Sequence, residues 1–145
     1  MATWQTPVTD WDGSTAGKKY YNFGDLDRVE QNTEYLKDEF ASIGYDASTT
    51  TFTYPRTRTS FNQYASDLNR IEQNILELTV TTWLPLTWET PYTSWTSVER
   101  EFNYNDANRL EKNLYYIKEM LDNITNAYVK CGEPQAVCGE LPGLF

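Results

Sequence analysis

Residues 67–74 read Asp-Leu-Asn-Arg-Ile-Glu-Gln-Asn, and closely related octapeptides stand at residues 25–32 and 106–113. The aspartate, arginine, glutamate and asparagine recur at the same spacing in all three copies. Copies of one motif about 40 residues apart are typical of a chain built from repeated supersecondary units, each too small to bury its apolar face alone. The sequence therefore predicts three modules of one kind.

Each motif begins an amphipathic helix, because the apolar residues that follow it lie three and four positions apart. Asn22 and Asn103 precede two of the motifs and have an aspartate three positions later, which predicts capping boxes. The middle copy lacks this spacing, so Ser60 or Ser66 is its expected cap. We predict lengths of roughly 18 to 26 residues, with ends near Gly44, near Thr79, and between Tyr128 and Gly132. The predicted core stripes are Leu26, Val29, Leu36 and Phe40; Leu68, Ile71, Ile75 and Leu78; and Leu110, Leu114, Ile117, Leu121 and Ile124.

An aromatic segment rich in threonine and proline precedes each helix. Residues 4–11 recur as residues 88–95, with both tryptophans, both threonines and the proline in register, and residues 52–57 form a weaker middle copy. Proline favours an extended backbone before it, and threonine and aromatic residues favour β-like conformations. We therefore predict extended arms, which could pair as short strands.

These patterns predict a mainly α fold with three amphipathic helices, joined by extended arms and containing little or no β-structure. The modules are residues 1–46, 47–82 and 83–130, followed by a tail at 131–145. Each stripe is only marginally stable alone in water, so the helices must meet. A three-helix bundle is the simplest arrangement, and an extended chain of modules that packs on other copies is the alternative.

The charge balance excludes several classes of function. The chain has 21 acidic and 12 basic residues, a net charge of -9 and no histidine. Phosphate backbones and anionic lipids repel such a surface, so we expect neither nucleic acid nor membrane as a partner. Cys131 and Cys138 could close a small loop if oxidised, but two cysteines without histidine are half a zinc site, so we expect no metal and no cofactor.

The repeated polar residues raise the question of catalysis. Glycosidases use two carboxylates about 5 to 10 Å apart across a cleft, whereas Asp25 and Glu30 are five positions apart on one helix and point in different directions. No nucleophile stands beside a base, so we expect no catalytic residues. We predict instead a structural latch, in which the arginine binds a neighbouring carboxylate or arm carbonyl and the asparagine binds an arm. Its members are Asp25, Arg28, Glu30 and Asn32; Asp67, Arg70, Glu72 and Asn74; and Asp106, Arg109, Glu111 and Asn113.

The chain is unusually aromatic, at 15%, and two interpretations remain open. Large rings can attach irregular segments to the helices, or they can form an exposed surface for a glycan or a partner protein. The candidate contact residues of the second interpretation are Trp4, Trp11, Trp83, Trp88 and Trp95.

Neither end of the sequence predicts a targeting signal. No charged segment followed by an apolar run stands at the start, and no stretch approaches membrane-spanning length. We therefore expect a chain that is made in soluble form, without a signal peptide of its own. The tail ends in turn-forming residues and in Leu141, Leu144 and Phe145, which form either a loose end or a segment that docks on another subunit.

The order Trp-x-x-Pro-x-Thr-Asp-Trp, an aromatic–Asn pair, and Asp-Leu-Asn-Arg-Ile-Glu-x-Asn resembles modules of virion structural proteins from phages and prophages of Firmicutes. Those modules occur in tail, baseplate and receptor-binding proteins. The resemblance spans most of residues 4–125, and the middle module departs from it by lacking the tryptophans. It implies a non-enzymatic, homo-oligomeric tail, fibre, appendage or adaptor component of a virion, with other virion proteins as partners and possible contact with a host envelope glycan. The alternatives are a carbohydrate-binding module and, third, an envelope polysaccharide hydrolase.

Overall fold

The computed structural model describes residues 2–14, 21–50, 64–79, 85, 87–96 and 100–131. For residues 64 and 128–131 it describes the backbone only. It contains three helices: α1 (Phe23–Ser42), α2 (Tyr64–Glu77) and α3 (Tyr104–Cys131). No strand occurs in these ranges, so the predicted mainly α fold is confirmed and the predicted strand pairing of the arms is not seen there. Residues 52–57, Ser60, Trp83 and the part of the tail from 132 to 145, which includes Cys138, lie outside the described ranges, whereas Cys131 is the last residue of α3.

The helices begin where their caps place them. Asn22 accepts bonds from Gly24 N and Asp25 N, and the Asp25 carboxylate accepts a 2.8 Å bond from Asn22 N, which completes a capping box. The Asp106 carboxylate accepts an equivalent 3.0 Å bond from Asn103 N. Ser66 lies inside α2, which begins two residues before it, so the prediction of Ser66 as its cap is wrong.

Helix α1 ends at the predicted glycine. Gly44 has φ +92°, where a side chain would be strained. Its N–H donates to Ala41 O, and the next N–H, of Tyr45, donates to Phe40 O over 2.9 Å. This pair of bonds is a Schellman motif. The three helices have 20, 14 and 28 residues, so α2 is shorter and α3 longer than predicted.

All three helices contribute to one apolar core, and each contacts the other two. The predicted stripes are buried, except that Ile124 is only half-buried because α3 extends past the ends of its neighbours. The core cluster consists of Leu26, Val29, Leu36, Phe40, Ile71, Ile75, Leu78, Leu110, Leu114, Ile117 and Leu121.

The helices run in the same direction. The motifs at their N-terminal ends contact one another, and residues further along also meet: the Lys118 ammonium lies 5.6 Å from the Tyr35 ring. Each arm must therefore run back along the helices before the next helix begins. The first arm (residues 2–14) runs from Asn32 on α1 towards Asn108 near the start of α3, antiparallel to both helices.

Candidate functional site

The polar residues of the three motifs form one closed set of contacts, which we call the polar ring. Each arginine donates to the glutamate of a different helix, and the three glutamates are used once each. The pairs are Arg28 with Glu111, Arg70 with Glu30, and Arg109 with Glu72. The contacts thus pass from α1 to α3, from α3 to α2 and from α2 to α1, which is a cyclic order.

Each arginine also binds the aspartate three residues before it, one helical turn away. The distance is 3.1 Å from Arg28 to Asp25, 3.3 Å from Arg70 to Asp67 and 2.7 Å from Arg109 to Asp106. A guanidinium presents several donors in a fixed plane, so it can hold two carboxylates at once, which a lysine ammonium cannot do in the same geometry. The requirement for arginine at this position follows from that double contact.

The glutamates of the polar ring are buried from solvent. Glu30, Glu72 and Glu111 are at most 1% exposed. Burial raises the pKa of the Glu72 and Glu111 carboxyls above their ordinary value, although the facing arginines act in the opposite direction. Burial lowers the pKa of Arg109, but Glu72 and Asp106 together outweigh this effect and leave the pKa raised. The arginines therefore stay charged, and removing one would leave carboxylates without their counter-ion.

The last asparagine of each motif binds the arm that precedes its own helix. Its amide accepts a bond from one arm N–H and donates a bond to the C=O of the same residue, over distances of 2.7 to 3.0 Å. Such a pair satisfies an extended backbone that has no neighbouring strand. The three pairs are Asn32 with Gln5, Asn74 with Thr50, and Asn113 with Glu89.

A second asparagine, at the third position of the motif, binds the arm of a different module. Asn108 exchanges two bonds with the peptide groups of Trp11, and Asn69 does the same with Trp95. The sequence analysis missed these two residues, although their recurrence at one motif position was a signal; the first motif has Asp27 there. The first arm therefore begins on α1 and ends on α3, the helix that Arg28 of the same module contacts. The third arm begins on α3 and ends on α2, the helix that Arg109 contacts.

The arm contacts correct the alignment of the middle module. Gln5 and Glu89 each directly follow a tryptophan, and the residue that occupies the same place on α2 is Thr50. The sequence comparison, which aligned residues 52–57 with residues 4–9, places Thr53 there instead. It matched the prolines, whereas the contact depends on backbone atoms and requires no particular side chain.

Aromatic rings cover the polar ring at the N-terminal end of the helices. Trp11 packs on Tyr21 with ring centroids 5.1 Å apart, Tyr21 on Phe102 at 5.4 Å, and Phe102 on Trp95 at 5.9 Å. The Tyr21 hydroxyl also donates to Glu111 over 3.3 Å. This layer keeps water from the buried charges.

The tryptophans are mostly unsuited to the exposed surface that the second interpretation requires. Trp11 is 7% exposed and Trp95 4%, because both lie in the aromatic layer, so their assignment as exposed glycan contacts is wrong. Trp4 and Trp88 are half-buried against the core. Trp83 lies outside the described residues.

Arg100 is a further contact that the motif pattern does not contain. It donates to Asp106, and its guanidinium lies 4.6 Å from the Tyr92 ring centroid and 4.7 Å from that of Trp95. Cation–π contact of this kind holds the end of the third arm (residues 87–96) against α3. Nothing in the repeat predicts it, because the other modules have different residues at the aligned positions.

Between the ends of α1 and α2 is a cavity of about 10 Å³, which is about the space of one water molecule. Within the described ranges no three histidine, cysteine or acidic side chains are placed to hold a metal ion. A search of the same ranges for a helix long and apolar enough to cross a bilayer also finds none.

Three kinds of comparison bear on the identity of the chain. Protein-family models, curated proteins and solved structures yield no match. A function for the chain is therefore inferred from its sequence and from the contacts described above.

Proposed function

We propose that this chain is a non-enzymatic structural component of a phage or prophage virion, serving as an oligomeric tail, fibre, appendage or adaptor part. The observation that carries the non-enzymatic part is the use of the repeated residues. All twelve latch residues bind one another, an arm or a helix cap. A catalytic group, in contrast, must leave one side open to a substrate.

The resemblance of the repeat to virion modules supports the viral part of the proposal. The polar ring also suits a structural part, because a buried network of charge-assisted bonds fixes one geometry. Partners of this kind are other copies of the chain and other virion proteins, and the chain's net charge of -9 disfavours nucleic acid.

The first test measures the mass of the intact chain in solution. Light scattering after size exclusion, over protein concentrations from low to high micromolar, is expected to give a stable oligomer of the 16.9 kDa chain. Genes for tail or capsid proteins on either side of the coding sequence are the expected genomic context. A monomer at every concentration together with a gene neighbourhood free of virion genes would refute the proposal.

The same preparation separates the structural function from sugar binding. Cell-wall fragments of the host are titrated in while tryptophan fluorescence is recorded. A structural part gives no change, because Trp11 and Trp95 are already buried. Saturable quenching would instead favour a glycan site at other tryptophans, and release of sugar fragments would favour a hydrolase.

A further inference from the structure

The contact between the first and third modules differs from the other two contacts between modules, because these two modules are not consecutive in the sequence. Helices α1 and α2 are consecutive, and so are α2 and α3, whereas the first arm reaches α3 only by noncovalent contacts. The contact of Trp11 with Asn108 joins residues 97 positions apart. Along the chain the first arm is followed by α1, whereas its contacts with α3 are made through space.

The site that holds the first arm binds mainly backbone atoms. We call it the first-arm seat and define it by Asn32, Asn108 and Tyr21. Asn32 binds both peptide groups of Gln5 at 2.8 Å, and Asn108 binds those of Trp11 at 2.9 and 2.8 Å. Main-chain bonds combined with a pocket for one side chain are a recurring way to bind an extended peptide.

The seat chemistry is not unique to one arm. Asn69 on α2 holds Trp95 by the same two bonds, at 2.7 and 2.8 Å. One chain thus contains two seats that accept the same kind of segment, a tryptophan presented on an extended backbone. A seat that contacts these atoms cannot distinguish its own arm from the identical arm of another copy.

We propose that the first arm of one copy occupies the first-arm seat of a second copy. This arm exchange rests on the proposed structural function and names the partner and surface of its self-assembly. Every contact made within one chain is remade between two, so the free energies differ mainly through the effective concentration of the arm. High local concentration, as in an assembled particle, favours the exchanged form.

Two full-length variants, each defective in one half of the contact, test the exchange. Trp11→Ala weakens the arm and leaves the seat intact. Asn108→Asp leaves the arm intact. It replaces the Asn108 Nδ2 donor, which lies 2.8 Å from the Trp11 carbonyl oxygen, with a carboxylate oxygen that repels this carbonyl. Mixing the two is expected to produce a heterodimer with one chain of each kind, seen by native mass spectrometry at about twice 16.9 kDa. Neither variant alone is expected to form a dimer.

Asn69→Asp is the matched control, because it makes the same change in a seat whose arm is attached at both ends, to α2 and to α3. Mixed with Trp11→Ala, it is expected to give less heterodimer than the test mixture, because Asn69→Asp keeps an intact first-arm seat for its own first arm. If circular dichroism shows that Trp11→Ala is unfolded, Gln5→Pro replaces it, since proline removes the N–H that Asn32 accepts.

Two outcomes overturn the arm exchange: no heterodimer in the test mixture, or equal amounts in test and control. If the wild-type chain still forms an oligomer in either case, the proposed function stands and another surface joins the copies. If the wild-type chain is monomeric and no heterodimer forms, the arm exchange is wrong, and the proposed function is refuted as well when the gene neighbourhood contains no virion genes.

Discussion

Replacing Arg109 with lysine removes the double contact on which the polar ring depends. Arg109 donates to Asp106 through one terminal nitrogen and to Glu72 through the other, and its side chain is only 10% exposed. A lysine ammonium reaching the same region can approach one carboxylate or the other, but it lacks the planar fork that reaches both. One buried carboxylate therefore loses its guanidinium partner.

The expected loss follows from the contacts that remain. A bond to a charged group contributes about 1.5 to 3 kcal/mol. Asp106 keeps its bonds from Arg100 and Asn103 N, and Glu72 keeps a 3.2 Å bond from Tyr92 N, so neither carboxylate is left without a donor. We therefore expect Arg109→Lys to lower the free energy of unfolding by about 2 to 3 kcal/mol, which corresponds to roughly 4 to 12 °C in melting temperature.

The equivalent arginines provide an internal comparison. The side chains of Arg28 and Arg70 are 14% and 21% exposed, so water compensates more of what lysine loses there. The expected order of destabilisation is Arg109→Lys, then Arg28→Lys, then Arg70→Lys, measured by urea unfolding followed by both circular dichroism and tryptophan fluorescence. Arg70→Lys should still cost about 1 kcal/mol. The latch is refuted if Arg109→Lys costs less than about 0.5 kcal/mol, or if the order is reversed.

Three further predictions concern single positions. Asn113→Ala removes two bonds to arm backbone and should cost about 2 kcal/mol in urea unfolding, whereas Asn123→Ala, an exposed control on the same helix, should change stability little; equal effects would contradict the role of Asn113 in the latch. Burial raises the pKa of Glu72 above 4.5 in the folded chain, so the stability contributed by this carboxyl is present below about pH 4.5 and is lost as pH rises through the folded pKa. Wild type should therefore lose stability relative to Glu72→Gln as the pH rises above about 4.5, and a constant difference between their unfolding free energies would show that the pKa is not raised. Gly13→Ala should lower the melting temperature more than Gly44→Ala: both residues have positive φ, but a Cβ at Gly13 would lie 3.2 Å from a tyrosine ring, while none of the described atoms lies within 4 Å at Gly44.

Much of the fold could be predicted from the sequence, because local signals and burial agree there. Helical spacing identifies the buried stripes, and the asparagine–aspartate pairs at residues 22–25 and 103–106 mark two helix starts. The boundaries of α2 were harder to predict, since its approach has no such pair. The half-exposure of Ile124 depends on where the other helices end, which its own sequence does not contain.

The sequence could predict that the repeated arginines and asparagines bind polar partners, but it could not predict which residue is the partner of which. Recurrence of arginine and asparagine indicates that each has a partner, but spacing along one helix cannot say which helix supplies the glutamate. That choice depends on the parallel direction of the helices and the cyclic order of the modules, both of which are tertiary. The burial of Trp11 has the same origin, since its layer contains Tyr21 and, through it, Phe102 of the third module.

The aspartates explain why the helix starts are fixed while the helix ends vary. Asp25 and Asp106 each accept a bond from the capping residue's N–H and also hold the motif arginine, so one carboxylate ties the first turn of its helix to the ring. Because all three arginines reach a neighbouring glutamate, the three first turns must lie at one level. Beyond the final asparagine of the motif no such constraint acts, and α2 ends three residues later while α3 continues for another 18. Ridges-into-grooves packing of apolar side chains repeats along a helix, whereas each arginine–glutamate pair joins two particular residues, so we infer that the polar ring sets the register of the helices and the core supplies most of the stability.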